Sequence, residues 1–334
     1  MSGAGPPGAG ASGASGPTGG GRGIWNGGSK FEPPFQMPRP PIGPDAPLTP
    51  APGGPAPDQA FGAYQRGYFV TALREAEKRI AADPKDAAAM TLIGEIYRDG
   101  LAVKQDFGEA ARWYRLASAL GDPAAQFELG VLLLDGAPGV ARDRAGAEAQ
   151  FEKAAAKGHA SSLYNLGVLA IDVEPGAKPD FAKAAAYFKR AAEAGDGNAA
   201  YSYGVQLREG KGVALDIGES AKWLKRAADA GIIAGQVEYA IMLFNGVGVE
   251  RDEITAAHMF LIAAARRNPI AANRLAHLYV AGRGVPHDLV QAALWYGLAK
   301  AAGLEDAELD KATAGLTPEQ LQQVAKLTRL ELEF

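Results

Sequence analysis

LAHLYVAGRGVPHDLVQAALWYGLAKAAG, residues 275–303, is the stretch whose reading decides the fold. Apolar residues recur at three- and four-residue spacing on both sides of Gly282-Arg283-Gly284-Val285, the pattern of two amphipathic helices joined by a glycine turn. Glycine takes the left-handed conformation that stops a helix at little cost, and the valine after it folds back onto the helix pair. Asp288 stands where the second helix needs an N-cap, with Gln291 three positions on at capping-box spacing, and Gly303 ends that helix.

Outward from this stretch the same unit recurs. A turn aspartate falls at Asp106, Asp143, Asp180, Asp216, Asp252 and Asp288, at intervals of 37, 37, 36, 36 and 36 residues. A small residue of the first helix keeps step at Gly94, Gly130, Gly167, Gly204, Ala240 and Ala276, and an aromatic of the second helix at Trp113, Phe151, Phe188, Trp223, Phe260 and Trp295. Aromatics so placed read as core packing in every unit, since a unit of this length buries its apolar face only against its neighbours. Asp106/Glu109 and Asp216/Glu219 share the capping-box spacing. Basic last turns such as Lys189-Arg190 and Lys225-Arg226 suit the negative ends of the second helices. Two places depart: Arg267 replaces a terminating glycine, predicting a slightly different hand-over angle, and residues 172–180 lack the paired glycines, predicting an irregular turn.

The pattern Leu/Ile-Gly-x-x-Tyr, Gly-x-Gly-Val, Asp, Ala-x-x-Trp-Tyr, Ala-Ala-x-x-Gly, nearly complete in 275–303, resembles the Sel1-like repeats, relatives of the tetratricopeptide repeat. The resemblance spans six units over residues 87–303 and implies an all-α fold, a right-handed superhelical solenoid of antiparallel helix pairs. Residues 59–86 then read as a tetratricopeptide-like N-terminal capping pair, and residues 304–334 as C-terminal capping helices, the last entered at Thr317-Pro318-Glu319-Gln320. Solenoids need such ends because an uncapped repeat leaves its apolar face in water.

Ahead of them, residues 1–58 hold 14 of the 22 prolines and 15 of the 43 glycines but only six charges. That leader cannot bury enough apolar surface to offset its ordering entropy and reads as disordered. Its charges cancel, so the net −4 of the chain belongs to the remainder, where basic and acidic residues interleave. Nucleic acid, which needs several aligned cations, is not an expected partner. The absence of cysteine excludes disulfides and thiolate chemistry. No segment has the apolar core of a signal peptide or the length of a membrane span, so the sequence as given reads as soluble and cytoplasmic, or periplasmic if a preceding signal sequence is missing.

Catalytic patterns are absent. His159, His258, His277 and His287 form no i, i+4 pair or His-Glu cluster, so no metal is expected, although His277 and His287 are within reach of each other. Some Sel1-like proteins are linked to β-lactamase activity, but no serine here has lysine three positions on. The Gly-x-Gly runs lack the third glycine and preceding strand of a dinucleotide fingerprint, and no cofactor is expected. An enzyme, or a regulatory subunit of one, would have to use interior carboxylates such as Glu95 and Glu209.

What remains is a surface. If the first helices line a concave face, as in tetratricopeptide arrays, the inward positions are three before, one after and four after the small residue. In units two to five these are Phe127, Val131, Leu134; Tyr164, Val168, Ile171; Tyr201, Val205, Arg208; and Val237, Ile241, Phe244. The outer units carry Thr91, Glu95, Arg98 and Asn273, His277, Val280, so an apolar groove with polar ends is expected. Its expected occupant is a protein or peptide partner, as for Sel1-like adaptors, unless tight curvature buries these side chains or the leader, with Trp25, Phe31 and Phe35, lies there itself.

Overall fold

The structure, a computed structural model, describes residues 58–173 and 176–333. They form sixteen helices in sequential pairs, an all-α repeat solenoid. A first pair, α1 (Gln59–Gln65) and α2 (Phe69–Ala82), precedes six similar pairs. These are α3 (Ala87–Asp99) with α4 (Phe107–Ala119), α5 (Pro123–Asp135) with α6 (Arg144–Ala155), and α7 (Ala160–Ile171) with α8 (Phe181–Glu193). They continue as α9 (Gly197–Glu209) with α10 (Ile217–Asp229), α11 (Ile233–Asn245) with α12 (Glu253–Ala265), and α13 (Pro269–Ala281) with α14 (Leu289–Ala301). The short α15 (Ala307–Thr313) and α16 (Pro318–Glu333) follow. The disordered leader expected at residues 1–58 lies, but for Asp58, outside the described residues; Asp58 itself caps α1 through the Phe61 amide and pairs with Arg79 of α2.

All six turn aspartates do two jobs. Each carboxylate accepts from a first-turn amide of the second helix, from Glu109 N at 3.0 Å for Asp106 to Gln291 N at 3.0 Å for Asp288. Each backbone N–H also donates to a carbonyl of the first helix, as Asp216 does to Leu207 at 2.9 Å. One residue therefore starts the second helix and ties it to the end of the first. The reciprocal half of the capping box is missing at Asp106 and Asp216: their N–H groups go to Tyr97 and Leu207, and Glu109 and Glu219 pair with Arg112 and Lys222. Thr317 and Gln320 form both halves at the start of α16.

The glycine turns behave as their spacing predicts. Gly100, Gly210, Gly246 and Gly282 end their helices in the left-handed conformation. In the third unit α7 ends without it, and the Arg144 guanidinium of the preceding unit takes the freed carbonyls of Leu169 and Asp172; residues 174 and 175 of the turn expected to be irregular lie outside the described residues. At Arg267 the side chain changes but the backbone does not: φ is 62°, left-handed like its glycine counterparts, and Ala102 adopts φ 64° in the first glycine turn. Each such non-glycine residue costs about 1–2 kcal/mol of strain.

The aromatic landmark needs correcting. The side chain that crosses the small residue at Gly94, Gly130, Gly167 and Gly204 belongs to one fixed position of the second helix, held by Tyr114, Phe151, Phe188 and Leu224 and, in the last two units, by Phe260 and Tyr296, all buried. Trp113, Trp223 and Trp295 sit one residue earlier and face a different neighbour. A Cβ added at Gly94, Gly130 or Gly167 would lie 2.5–2.6 Å from the ring of Tyr114, Phe151 or Phe188, so glycine here is a packing requirement. Large-and-small pairing thus fixes how closely the two helices of a unit approach.

Candidate interaction face

Neighbouring units are joined on their second helices by basic side chains that reach back. Arg190 donates to the Ala155 carbonyl at 3.5 Å, Arg266 to that of Gly231 at 3.0 Å, and Lys157 to that of Gly121. The basic last turns therefore satisfy orphan carbonyls of the preceding unit.

On the first helices the hand-over runs through the position three before the small residue. Thr91 Oγ1 bonds Asp122, the N-cap of α5, at 3.2 Å; the Phe127 ring lies 5.0 Å from that of His159, the N-cap of α7; Asn273 donates to Asp306, the N-cap of α15, at 3.0 Å. His159 Nδ1 accepts from the Ser162 amide at 3.3 Å, a role its sequence position after a glycine did not announce. His277 and His287 turn to different partners, Asp306 at 2.8 Å and the Val280 carbonyl at 2.8 Å. Among the described residues there is no group of three or more side chains placed to hold a metal ion.

The twelve expected groove residues, all on first helices, differ in access. Val237 is core, only 5% exposed. Phe127, Val131, Leu134, Tyr164, Val168, Ile171, Tyr201, Val205, Arg208, Ile241 and Phe244 are all half-buried, packing inward while keeping an edge to solvent. Phe244 has the Arg283 guanidinium 4.1 Å above its ring. Glu209, expected as an interior carboxylate, is exposed and paired with Lys211 at 2.7 Å, so it forms no interior pair with Glu95.

Two inter-unit ion pairs lie on the first helices, one joining units one and two and the other units four and five, and sequence reading passed over both. Arg98 Nη1 lies 2.5 Å from Glu128 Oε2, and Arg208 pairs with Glu238, in each case across thirty residues. The signal was an arginine four after one small residue and a glutamate two before the next. Between them the same two positions hold Leu134 with Asn165 and Ile171 with Ser202.

Glu95 beside the first pair is half-buried, and burial pushes its carboxyl up to about 7, with Glu128, Asp99 and Asp122 adding to the effect and Arg98 opposing it. A carboxyl held protonated in the folded chain adds stability below its ordinary value of 4.5, and that stability is lost as pH rises through about 7. Glu95→Gln is accordingly expected to flatten the decline, raising stability by about 1–3 kcal/mol at pH 8 in urea denaturation, with no gain at pH 4.

The model of the Sel1 repeat family matches six consecutive segments, residues 87–122, 123–159, 160–196, 197–232, 233–268 and 269–304, each opening on a first helix. A protective antigen present in uropathogenic Escherichia coli strains, displaying an SLR fold, is similar in structure at a TM-score of 0.70 and 26% identity, over 83% of this chain and 60% of its own. The chain therefore spans less than two thirds of that antigen's length. A Sel1 repeat protein from Oxalobacter formigenes matches at a TM-score of 0.59 and 26% identity, over 75% of this chain and 99% of its own. No curated protein matches the chain.

Proposed function

The chain belongs to the Sel1 repeat family, whose repeats generally mediate protein interactions, and from that premise we propose that it is a non-catalytic scaffold holding a partner protein or peptide along its first-helix face. The single observation that carries this reading is the recurrence of half-buried apolar side chains at equivalent first-helix positions of four successive units, from Phe127 to Phe244. Core packing explains the buried side of each residue; it does not require Tyr164, Tyr201 and Phe244 to stay partly accessible on equivalent positions of successive first helices. A segment laid across them would bury what these side chains leave accessible.

Replacing Tyr164, Tyr201 and Phe244 together with serine is expected to weaken capture of a partner by more than roughly tenfold, as loss of central aromatic anchors does. The measurement is affinity capture with the full chain, with circular dichroism to confirm folding. Leu261→Ser, on an exposed position of the second helix α12, serves as control and leaves capture unchanged. Undiminished capture by a folded triple variant contradicts the reading.

A further inference from the structure

Charge rather than apolar area is concentrated at the first-unit end of this face. Arg98 is committed twice there, by Nε and Nη2 to Asp99 at 2.7 and 3.0 Å and by Nη1 to Glu128 at 2.5 Å. Glu95, one turn away on α3, makes no hydrogen bond or ion pair among the described residues, yet keeps an edge to solvent. With every group ionised, three carboxylates surround one guanidinium, so the place lacks positive charge. In the otherwise matching pair Arg208–Glu238, the position of Glu95 is Val205. The ion pair therefore joins units without the extra carboxylate, and Glu95 needs another reason.

A second observation points the same way. The Tyr114 side chain of α4 is fully buried and its hydroxyl has no partner. Its ring crosses Gly94, where a Cβ would stand 2.5 Å from Cε1 and 3.1 Å from Cζ, and the charges acting on its hydroxyl are those of Arg98, Glu128, Glu95 and Asp99. Packing does not ask for that oxygen, because Phe151 and Phe188 fill the equivalent position. In the sixth unit the equivalent hydroxyl, of Tyr296, accepts from the Asp306 amide at 3.1 Å. At Tyr114 it stays unmatched, within the field of a carboxylate that also has no partner, and a buried polar group so left costs free energy until something completes it.

We propose that Glu95 and Glu128, backed by the Tyr114 hydroxyl, receive one cationic side chain, a lysine or arginine, of the segment held on this face. The inference rests on the scaffold reading above and supplies the partner's chemistry: a basic residue leading into an apolar stretch. An ammonium or guanidinium placed against Glu95 finds one carboxylate free and the second oxygen of Glu128 unshared, while the phenol donates to Glu95 from behind. An anionic group meets an arginine already taken and three carboxylates.

The groups that face Glu95 are Tyr64 from α1, Arg98 and Asp99 from α3, Tyr114 from α4, and Asp122 and Glu128 from α5. Tyr64 feels the same surroundings: burial first and then the field of Glu95 push its phenol up to about 12, so it stays neutral. Glu95 is the group that titrates near neutrality, and a bound cation favours its ionised form. Binding then releases a proton, and affinity rises with pH through about 7 and levels off above it.

The test uses the full chain and two short end-capped peptides of leucine, phenylalanine and glycine, one with a single lysine at its start and the other with acetyl-lysine there. Calorimetry at pH 6 and 8 and fixed ionic strength is expected to show the lysine peptide binding roughly tenfold tighter at pH 8, with the preference shrinking at pH 6. Glu95→Gln removes the preference at both pH values, and Tyr114→Phe, which the equivalent phenylalanines show to be accommodated, reduces it. Equal binding of the two peptides, or a preference that survives Glu95→Gln, overturns the cation site while leaving the apolar face intact. Binding of neither peptide overturns both.

Discussion

Phe151→Ala is expected to remove about 3–5 kcal/mol of folding stability, among the largest losses a single substitution in this chain can cause. The ring is fully buried between α5 and α6. It lies across Gly130, so close that a Cβ there would be 2.6 Å from Cε1, and it meets Phe127 at 5.9 Å between centroids. Gly130 has no side chain to extend into the space, and a truncated ring there leaves a cavity. The loss spreads because each unit buries its apolar face only against adjacent units. Urea denaturation should show the full loss, and calorimetry should show the single transition of the parent chain divide into two, as the units before and after the cavity uncouple. A loss under about 1 kcal/mol, with one sharp transition, would mean that this ring does not hold the array together.

Gly284→Ala is expected to cost about 3 kcal/mol, from two sources that add. Its φ is +68°, which any side chain disfavours, and a Cβ would stand 2.1 Å from the Glu253 carbonyl oxygen of the preceding unit. Backbone cannot step aside as a side-chain tip can. Gly212 against Phe181 and Gly248 against Ile217 repeat the arrangement, so the second glycine of each Gly-x-Gly turn is where one unit seats on the last. Gly303→Ala separates the sources: φ is +88° but nothing lies within 4 Å, and the strain alone, about 1–2 kcal/mol, is expected. Equal losses at the two sites would remove the seating role.

Most of this was legible because the chemistry of a turn is local. Asp288 caps the helix it precedes whatever the rest of the chain does, and six recurrences turn a weak signal into a register. The aromatic landmark failed for the same reason in reverse. Trp113 and Tyr114 are adjacent and both apolar enough for a core, and only the closeness of Tyr114 to Gly94 shows which one fills the gap. Access along the first helices was half legible. Spacing gave Tyr164 and Tyr201 the equivalent positions, but whether Val237 keeps an edge in water depends on the approach of the next unit, a distance no periodicity encodes. The cluster around Glu95 was least visible, since Tyr64, Tyr114 and Glu128 come from three different helices and meet it only when two units are seated. A lone glutamate on an inward position looked like a polar end to a groove and carried no sign of its missing partner.

Photo-crosslinking from single positions tests most directly whether the first-helix face holds a polypeptide. A benzophenone side chain replaces Tyr201, half-buried on that face, or, in a separate chain, Ile254, which is 74% exposed on α12. Irradiation in the cells that make the protein should yield a discrete protein adduct from position 201 and none from position 254. Adducts from position 254 with none from 201 would place the partner on the second helices and contradict the account.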